Sequence, residues 1–153
     1  MKEIIAYEMT YSGGKPETPD IVCLPFDESM WDDYMAMYNE CFHEMREALE
    51  IEPYDFYSDI SQIKGREENI FVFFYEGRLA GSVSCIGNEL DDLTVRKDHR
   101  RRGFGRRLLR FGMTKILENG YSEVVLHAAE YNAAAVRMYL DEGFVITSKQ
   151  KVR

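Results

Sequence analysis

Three successive runs of β-branched and aromatic residues in the middle of the chain constrain the fold more than any other feature. They are NIFVFFYEG at 69–77, RLAGSVSCIG at 78–87 and ELDDLTV at 89–95. Such runs are typical of strands, and Glu76-Gly77 between the first two suits the tight turn of a hairpin. The sequence therefore predicts three consecutive strands, of which the first two form a hairpin.

Helices and further strands are predicted on both sides of these runs. Apolar residues recur at helical spacing from Trp31 to Leu49, with Asp27 or Ser29 as the N-cap and Pro53 helping to close the helix. The other elements before the three runs are strands at 2–11 and 21–26, which a Gly/Pro turn could join into an opening hairpin, and a short helix at 55–64. Those after them are a helix with Leu108, Leu109, Met113, Ile116 and Leu117 on one face, a strand at 123–128, a helix at 133–142 and a strand at 144–152. This order implies an α/β fold whose sheet has mixed strand directions.

Length and composition limit the classes of protein that this chain can represent. With 153 residues, 45% of them hydrophobic, it is long enough for one well-packed domain and short for two, so we expect a single domain over 1–153. No run approaches the roughly 18–20 apolar residues that cross a bilayer, and the N-terminus lacks a signal-peptide block, so a cytoplasmic protein is expected. The three cysteines and three histidines are scattered, and we expect no metal site.

Charge is distributed very unevenly along the chain. Residues 96–110 contain eight Arg or Lys residues and one acid, Asp98, a local charge of +7 in a protein of net charge −8. The rest of the chain therefore carries −15, which would repel a nucleic-acid backbone over most of the surface. The basic cluster is better suited to a small polyanion, with nucleic acid as the alternative.

Gly103 and Gly105 lie in this basic cluster, between a predicted strand and a predicted helix. Glycine allows close approach of a ligand to the backbone, and the free N–H groups at a helix N-terminus favour a phosphate. The segment is neither a Walker loop nor a dinucleotide fingerprint, because it lacks the lysine and the third glycine of those motifs. By itself it indicates only an anion site.

Two flanking segments make this loop specific. Leu93-Thr94-Val95 followed by RRRGFG at 100–105 resembles the acetyl-CoA-binding motif of the GNAT N-acetyltransferase superfamily, written [QR]-x-x-G-x-[GA] after a strand. NAAAVRMYLDEGF, from Asn132 to Phe144, resembles the second signature of that family, N-x-x-A-x-x-x-Y followed by G-F. The two occur in the family's order, and the resemblance covers roughly residues 21–148.

The resemblance implies a fold, a co-substrate and a reaction. The fold would be an α/β domain with a mixed, mostly antiparallel sheet, splayed central strands and about four flanking helices. Acetyl-CoA would be the co-substrate, with its pantetheine arm along the splayed strand and its pyrophosphate on the backbone N–H groups of residues 101–106. The acetyl group would pass directly to a primary amine in a ternary complex. The cofactor-binding residues so implied are Leu93, Thr94, Val95, Arg100, Arg101, Arg102, Gly103, Phe104, Gly105, Arg106 and Asn132.

Candidate catalytic residues also follow from the resemblance. At the position of Tyr139 the family uses a tyrosine as general acid toward the CoA thiolate, although a tyrosine on an alanine-rich helix could simply pack in the core. Glu89 stands where some members carry a catalytic glutamate, and it could equally be a solvated residue at a hairpin end. In a regular strand Asp91 shares the face of Glu89 and could replace it as base, while Asp92 points the other way.

The acceptor and the ends of the chain are less constrained. Residues 27–59 contain eleven acids against one base, Arg46. The resemblance implies that this helical region forms one wall of the acceptor cleft, which would favour a small cationic amine or a peptide or protein amine as acceptor, although the acids could equally solvate the outer face of the helix. A non-catalytic acyl-CoA-binding or sensing module, which would not need Tyr139, is the alternative function. Residues 1–20 form an extra strand or hairpin segment, and we expect the strand at 2–11 to cover sheet backbone, in cis or in a partner subunit of a homodimer.

Overall fold

Residues 2–153, which the computed structural model describes, form seven strands and three α-helices. The strands are β1 (Ile5–Tyr11), β2 (Leu24–Pro25), β3 (Ile70–Tyr75), β4 (Arg78–Ile86), β5 (Glu89–Val95), β6 (Val124–Ala129) and β7 (Val145–Lys151). The helices are α1 (Trp31–Ala48), α2 (Phe104–Glu118) and α3 (Ala133–Asp141), with short 3-10 turns at Glu28–Met30, Ile60–Ile63, Glu67–Asn69 and Lys97–His99. The predicted α/β class is confirmed.

A single sheet in the order β2-β3-β4-β5-β6-β1-β7 contains all seven strands. Its neighbours are antiparallel except β5 and β6, which are parallel and pair at one position, Glu89 with Val125. Beyond that position the two strands diverge, so the backbone of residues 93–95 has no neighbouring strand on the β6 side. The expected splay of the central strands is therefore confirmed.

The N-terminal strand lies in the interior of the sheet. β1 pairs with β6 on one side, where Tyr11 lies opposite Val124, and with β7 on the other, where Ile5 lies opposite Lys151. The expectation that this segment covers sheet backbone is confirmed, in cis. The opening hairpin is wrong, because β2 pairs with β3 at the opposite edge of the sheet. Met1, part of the predicted segment 1–20, lies outside the described residues.

The helix predicted at 55–64 is also wrong. Only Ile60–Ile63 is helical, as one 3-10 turn. The Asp59 carboxylate accepts from Ser61 N at 3.2 Å, and the Gln62 side-chain oxygen accepts from Asp59 N at 2.9 Å. These side-chain bonds to the backbone stabilise a capped turn and compete with a longer helix.

Two separate apolar clusters stabilise the two faces of the sheet. On one face α2 and α3 pack against residues that include Val83, Leu90 and Leu126. On the other face α1 and the segment before β3 pack against residues that include Val72 and Leu79. The gap between β5 and β6 lies where α1 on one face and α3 on the other both approach the sheet.

Candidate active site

A cavity of about 540 Å³ opens beside the carboxyl end of β5. Its walls come from α1, the end of β5, the glycine loop and α3. The predicted cofactor-binding residues all line it except Arg102: they are Leu93, Thr94, Val95, Arg100, Arg101, Gly103, Phe104, Gly105, Arg106 and Asn132. The predicted acid Tyr139 lines it too, whereas Glu89 does not. The volume is in the range of ordinary ligand sites, about 300–1,000 Å³.

The glycine loop leads directly into the N-terminus of α2. Arg101 (φ 66°) and Gly103 (φ 79°) both adopt left-handed backbone conformations, and Gly103 is the N-cap. A glycine cap has no side chain to accept from the first helical N–H groups, which therefore remain available at the cavity wall. Together with the helix dipole, these groups form a site suited to a phosphate.

Most of the arginines near the loop already have protein partners. Arg106 donates to Glu142 Oε1 at 2.7 Å, Arg107 donates to the carbonyl of Arg102 at 3.0 Å, and Arg102 donates to the Tyr75 hydroxyl at 3.3 Å. Arg96 is the buried arginine of the basic cluster. Its side chain is buried because it donates to the Leu79 carbonyl and pairs with Glu40.

Arg100 and Arg101 are the exposed guanidinium groups of the loop that line the cavity. Arg100 donates to the carbonyl of Val95 at 3.3 Å, which holds its stem beside the end of β5. Within residues 2–153, Arg101 forms no ion pair, and its left-handed backbone directs the chain around the cavity entrance. These two residues are the ones best placed to meet an anionic ligand.

The two sequence motifs do not include the residues of α1 that line the cavity. Cys41 donates from Sγ to the carbonyl of Val95 at 3.2 Å, which ties α1 to the splayed strand. Phe42 and Met45 line the cavity, although helical periodicity had marked them only as core positions. The other lining residues that the sequence did not indicate are Glu44, His99, Tyr131, Ala134, Ala135 and Met138.

Tyr139 both packs in the core and lines the cavity. It lies on the buried face of α3, 9% exposed, with its ring centroid 6.1 Å from that of Phe144. It also reaches the cavity beside the end of β5. Burial, with a smaller contribution from the negative charge of Asp91, raises the pKa of the phenol to about 12. The hydroxyl therefore keeps its proton at physiological pH.

Asn132 occupies the N-cap position of α3, but its side chain makes no capping hydrogen bond. Its own N–H donates to the carbonyl of Ala129 at 2.9 Å, and its carbonyl accepts from Val136 N at 3.1 Å. The side chain lines the cavity. Its amide is therefore available to a ligand.

Glu89 belongs to a row of three contacting side chains across three strands. Its carboxylate lies 2.9 Å from His127 Nδ1 on β6, and His127 Nε2 lies 3.3 Å from Glu8 on β1. This row occupies the part of the sheet where β5 and β6 still pair. Glu89 is therefore not among the residues that line the cavity with Tyr139 and the glycine loop.

A bulge in β5 changes the direction of Asp92. Asp91 pairs with Ser84 and Thr94 with Ser82, so the two residues Asp92 and Leu93 face only Val83. Asp92 has φ 49° and its carboxylate accepts from the Tyr38 hydroxyl on α1 at 3.1 Å. The expectation that Asp92 points away from the face of Asp91 is therefore wrong, because it assumed a regular strand.

The carboxyl groups of Asp91 and Asp92 both lie on the face of the sheet that packs against α1. Ser82 and Thr94 bond to each other at 2.6 Å, and Thr94 contacts Met37 on α1, so both side chains are on that face. Ser84 lies two residues from Ser82 and shares its face, and so does its partner Asp91. Asp91 and Asp92 consequently lie on the same side of the sheet, under α1.

The aromatic residues beyond Pro53 pack mainly against α1. Tyr57 is 4% exposed, and its ring lies 4.5 Å from that of Tyr38. Phe56 contacts Tyr57, with ring centroids 5.0 Å apart, and the guanidinium of Arg46 lies 5.1 Å from its ring centroid. Aromatic side chains therefore cover the α1 side of Asp92, and core packing accounts for Tyr57.

The sequence profile of the Acetyltransferase (GNAT) family matches residues 28–144, which include the glycine loop, α3 and most of the sheet. The chain belongs to this GNAT acetyltransferase family. Members transfer acyl groups, so the chain is assigned to the acyltransferases. The family match and the two motifs coincide on the walls of the cavity.

Known relatives are distant in sequence. Streptothricin acetyltransferase A of Bacillus subtilis (strain 168) is 23% identical over 141 residues, which are 86% of this chain and 78% of that protein. A GNAT-family acetyltransferase structure from Novosphingobium aromaticivorans superposes with a TM-score of 0.71 at 21% identity, over 97% of this chain and 62% of that one. N-acetylglutamate synthase from Neisseria gonorrhoeae, solved with coenzyme A and N-acetyl-glutamate, has a TM-score of 0.52 at 14% identity, over 68% of this chain and 24% of that one.

The chain spans less than two thirds of the length of these two solved structures. At such identities the superpositions establish the fold alone. Within residues 2–153, no helix is both long and apolar enough to cross a bilayer. Over the same range, no group of three or more His, Cys, Asp or Glu side chains is arranged to hold a metal ion.

Proposed function

We propose that the protein transfers an acetyl group from acetyl-CoA to a primary amine by direct attack in a ternary complex. One observation carries the proposal. A single cavity brings together a helix N-terminus with free N–H groups, the splayed end of β5 and the hydroxyl-bearing face of Tyr139. These are an anion site for the pyrophosphate, an unpaired strand edge for the pantetheine arm and a proton donor for the departing thiolate.

The walls of this cavity match acetyl-CoA in one orientation of the ligand. Its pyrophosphate would bind at the start of α2, next to Arg100 and Arg101, where N–H groups and positive charge coincide. Its pantetheine arm would follow the backbone of Leu93 to Val95, which β6 leaves without a partner strand. Asn132 would contact the arm from the start of α3. The coenzyme A complex of the N. gonorrhoeae relative supports this choice of co-substrate.

Tyr139 would act as the general acid. A protonated, largely buried phenol can donate a hydrogen bond to the departing sulfur and then its proton. Glu89 stays a prediction as general base. Its carboxylate contacts His127, and Glu89 lies four residues before Leu93, the first residue of β5 that lines the cavity.

The acceptor we propose is a cationic amine, either a small molecule or an amine of a peptide. Glu44, which pairs with Lys97 at 3.7 Å, lines the cavity from α1, and Asp91 and Asp92 lie under the same helix, so acids outnumber the one cation among these four residues. The name of the B. subtilis relative assigns it an acetyl acceptor, streptothricin. A negatively charged approach favours positively charged acceptors and disfavours anionic ones.

A screen of CoA release tests this function. The protein is assayed with acetyl-CoA and a panel of polyamines, aminoglycosides, peptides and anionic amino acids. We expect the fastest release with a cationic amine, and we expect kcat/KM to fall as salt rises while saturated turnover changes little. A neutral or anionic best acceptor without salt dependence would contradict the acceptor class. Absence of release with every amine would contradict the acetyl transfer.

A further inference from the structure

We propose that Asp92, rather than Glu89, holds the ammonium group of the acceptor and removes its proton; this inference rests on the proposed acetyl transfer. The assignment comes from the position of Asp92 at the bulge in β5. Asp92 has φ 49° and is the residue at which the strand departs from regular pairing. Such a backbone conformation is unfavourable for a non-glycine residue and persists only where its surroundings require it.

The bulge places Asp92 next to Leu93, which lines the inner part of the cavity, although Asp92, like Glu89, is not itself a lining residue. A Cβ built on Gly105 would lie 3.8 Å from Val95 Cγ2, so Val95 marks the glycine-loop end of the strand. Leu93 is two residues back along β5, roughly 6.6 Å farther from the loop. An arm that starts at the loop and follows β5 therefore ends at Leu93. Asp92 is the next residue.

Asp92 and Leu93 point to opposite faces of the sheet. Leu93 packs with the apolar cluster that includes Tyr139, on the α2 and α3 side. Asp92 accepts from Tyr38 on the α1 side. A thioester next to Leu93 would thus have the acid Tyr139 on one side and a carboxylate on the other, which is the arrangement that direct attack by an amine needs.

The surroundings of Asp92 suit a base. Burial and the negative charge of Asp91 raise the pKa of this carboxyl to about 6, although the hydrogen bond from Tyr38 and the charge of Arg66 lower it. The charge of Glu89 raises it further. The titratable groups that face it are Tyr34 and Tyr38 on α1, Tyr57 and Arg66 before β3, and Asp91 and Glu89 on β5, with His127 of β6 beyond Glu89. A base that titrates near the working pH transfers protons efficiently.

The proposed step balances as follows. The ammonium gives one proton to the Asp92 carboxylate, which later releases it to solvent. The neutral nitrogen attacks the thioester carbon, a C–N bond forms, the C–S bond breaks, and the bonding electron pair leaves with sulfur. Tyr139 donates its proton to the thiolate and regains one from the nitrogen as the amide forms. The net products are the amide, CoA thiol and one proton.

Paired pH profiles test the assignment. The kcat/KM of wild type, Asp92→Asn, Asp91→Asn and Glu89→Gln is measured with one cationic amine, so that the amine's own ionisation affects all four alike. For wild type we expect a limb in the pH profile, that is, a fall in kcat/KM as the pH drops through about 6. Asp92→Asn should remove this limb and lower kcat/KM at pH 8 by roughly 10²- to 10⁴-fold, with unchanged affinity for acetyl-CoA. Glu89→Gln should keep the limb, and Asp91→Asn should move it to lower pH. Glu118→Gln, in an exposed pair with Lys15, is the unchanged control.

A second measurement needs no turnover. Carbon-13 NMR of the aspartate carboxyls, with CoA bound, should show Asp92 titrating near pH 6 and spermidine lowering that midpoint. A midpoint near that of an exposed aspartate, or one that spermidine leaves unchanged, overturns the assignment. So does a profile in which Glu89→Gln, and not Asp92→Asn, loses the limb. Failure of acetyl transfer would instead appear as absent CoA release in the wild type.

Discussion

Arg110 on α2 and Glu142 at the end of α3 form a two-contact ion pair, with Nε 2.8 Å from Oε2 and Nη2 3.0 Å from Oε1. Arg106 adds a third contact to the same carboxylate at 2.7 Å. The Glu142 side chain is 6% exposed, so the bonds are largely shielded from water. This pair joins the helix that begins at the glycine loop to the helix that carries Tyr139, and it thereby fixes the two walls of the cavity.

Replacing Glu142 should measure this connection. Burial alone would raise the pKa of Glu142, but the hydrogen bonds from Arg110 and Arg106 outweigh it and lower the pKa below the usual 4.5. Its contribution is therefore present above pH 4.5 and lost as the pH falls through the lowered value. We expect Glu142→Gln to reduce the free energy of unfolding by about 1–3 kcal/mol at pH 7, as measured by urea denaturation.

The matched control for that prediction is Asp141→Asn. Asp141 pairs with Arg106 at 3.7 Å and its side chain is 56% exposed, so the change should cost less than about 1 kcal/mol. An equal loss for Glu142→Gln at pH 7 and pH 3 would show that the charge of the carboxylate does not contribute.

Gly105 provides a direct test of the acetyl-CoA site. An added Cβ would make only ordinary contacts, 3.7 Å from Met138 Sδ and 3.8 Å from Val95, so Gly105→Ala should fold normally. Gly105→Leu extends into the cavity that acetyl-CoA would occupy. At about 100 times its Kd, acetyl-CoA stabilises by ~2.7 kcal/mol, a rise of roughly 5–10 °C in Tm for this size. We expect wild type to show the rise, Gly105→Ala to show part of it and Gly105→Leu to lose it. Identical shifts in all three proteins would refute the site.

Removal of the Tyr139 hydroxyl should separate catalysis from packing. Tyr139→Phe keeps the ring that contacts Phe144 and deletes the proton donor. We expect kcat to fall by roughly 10²- to 10⁴-fold with little change in Tm or in acetyl-CoA affinity. Because burial raises the pKa of Tyr139 to about 12, wild-type activity should show no loss from phenol ionisation up to pH 9. Tyr121→Phe, at an exposed position, is the control; equal activity in both variants would return Tyr139 to a packing role.

The position of β1 predicts a strong effect of N-terminal truncation. β1 separates β6 from β7, and Met9 is fully buried, so removal of residues 2–11 detaches β7 and opens the core. We expect the truncated protein to lose its cooperative unfolding transition, and a synthetic peptide of those residues to restore it in part by strand pairing. A truncated monomer with wild-type Tm would contradict the observed strand order.

Sequence patterns within a single segment correctly predicted the strands and helices that such patterns define. The runs at 69–95 became β3, β4 and β5, and the apolar face at Leu108 to Leu117 became α2, because periodicity reports burial directly. The two motifs identified the cavity walls, since a glycine loop and a helix start have sequence signatures of their own.

Features set by distant contacts could not be predicted in this way. Whether β1 pairs with β2 or lies between β6 and β7 depends on contacts more than a hundred residues apart in sequence. The bulge at Asp92 has no proline or glycine to mark it, and the contact with Tyr38 that accompanies it crosses from β5 to α1. The partner of Glu89, His127, likewise lies on another strand, so its engagement could not be anticipated.

The most direct test of acetyl transfer follows the acetyl group itself. The protein is incubated with acetyl-CoA carrying a deuterated acetyl group and with the best cationic amine of the panel, and the amine is then examined by mass spectrometry. The account predicts an amine heavier by one deuterated acetyl group, in the same molar amount as the CoA thiol released, and a much slower gain with Tyr139→Phe. Release of CoA thiol without labelled amine would contradict it, because the thioester would then have been hydrolysed rather than attacked by the acceptor.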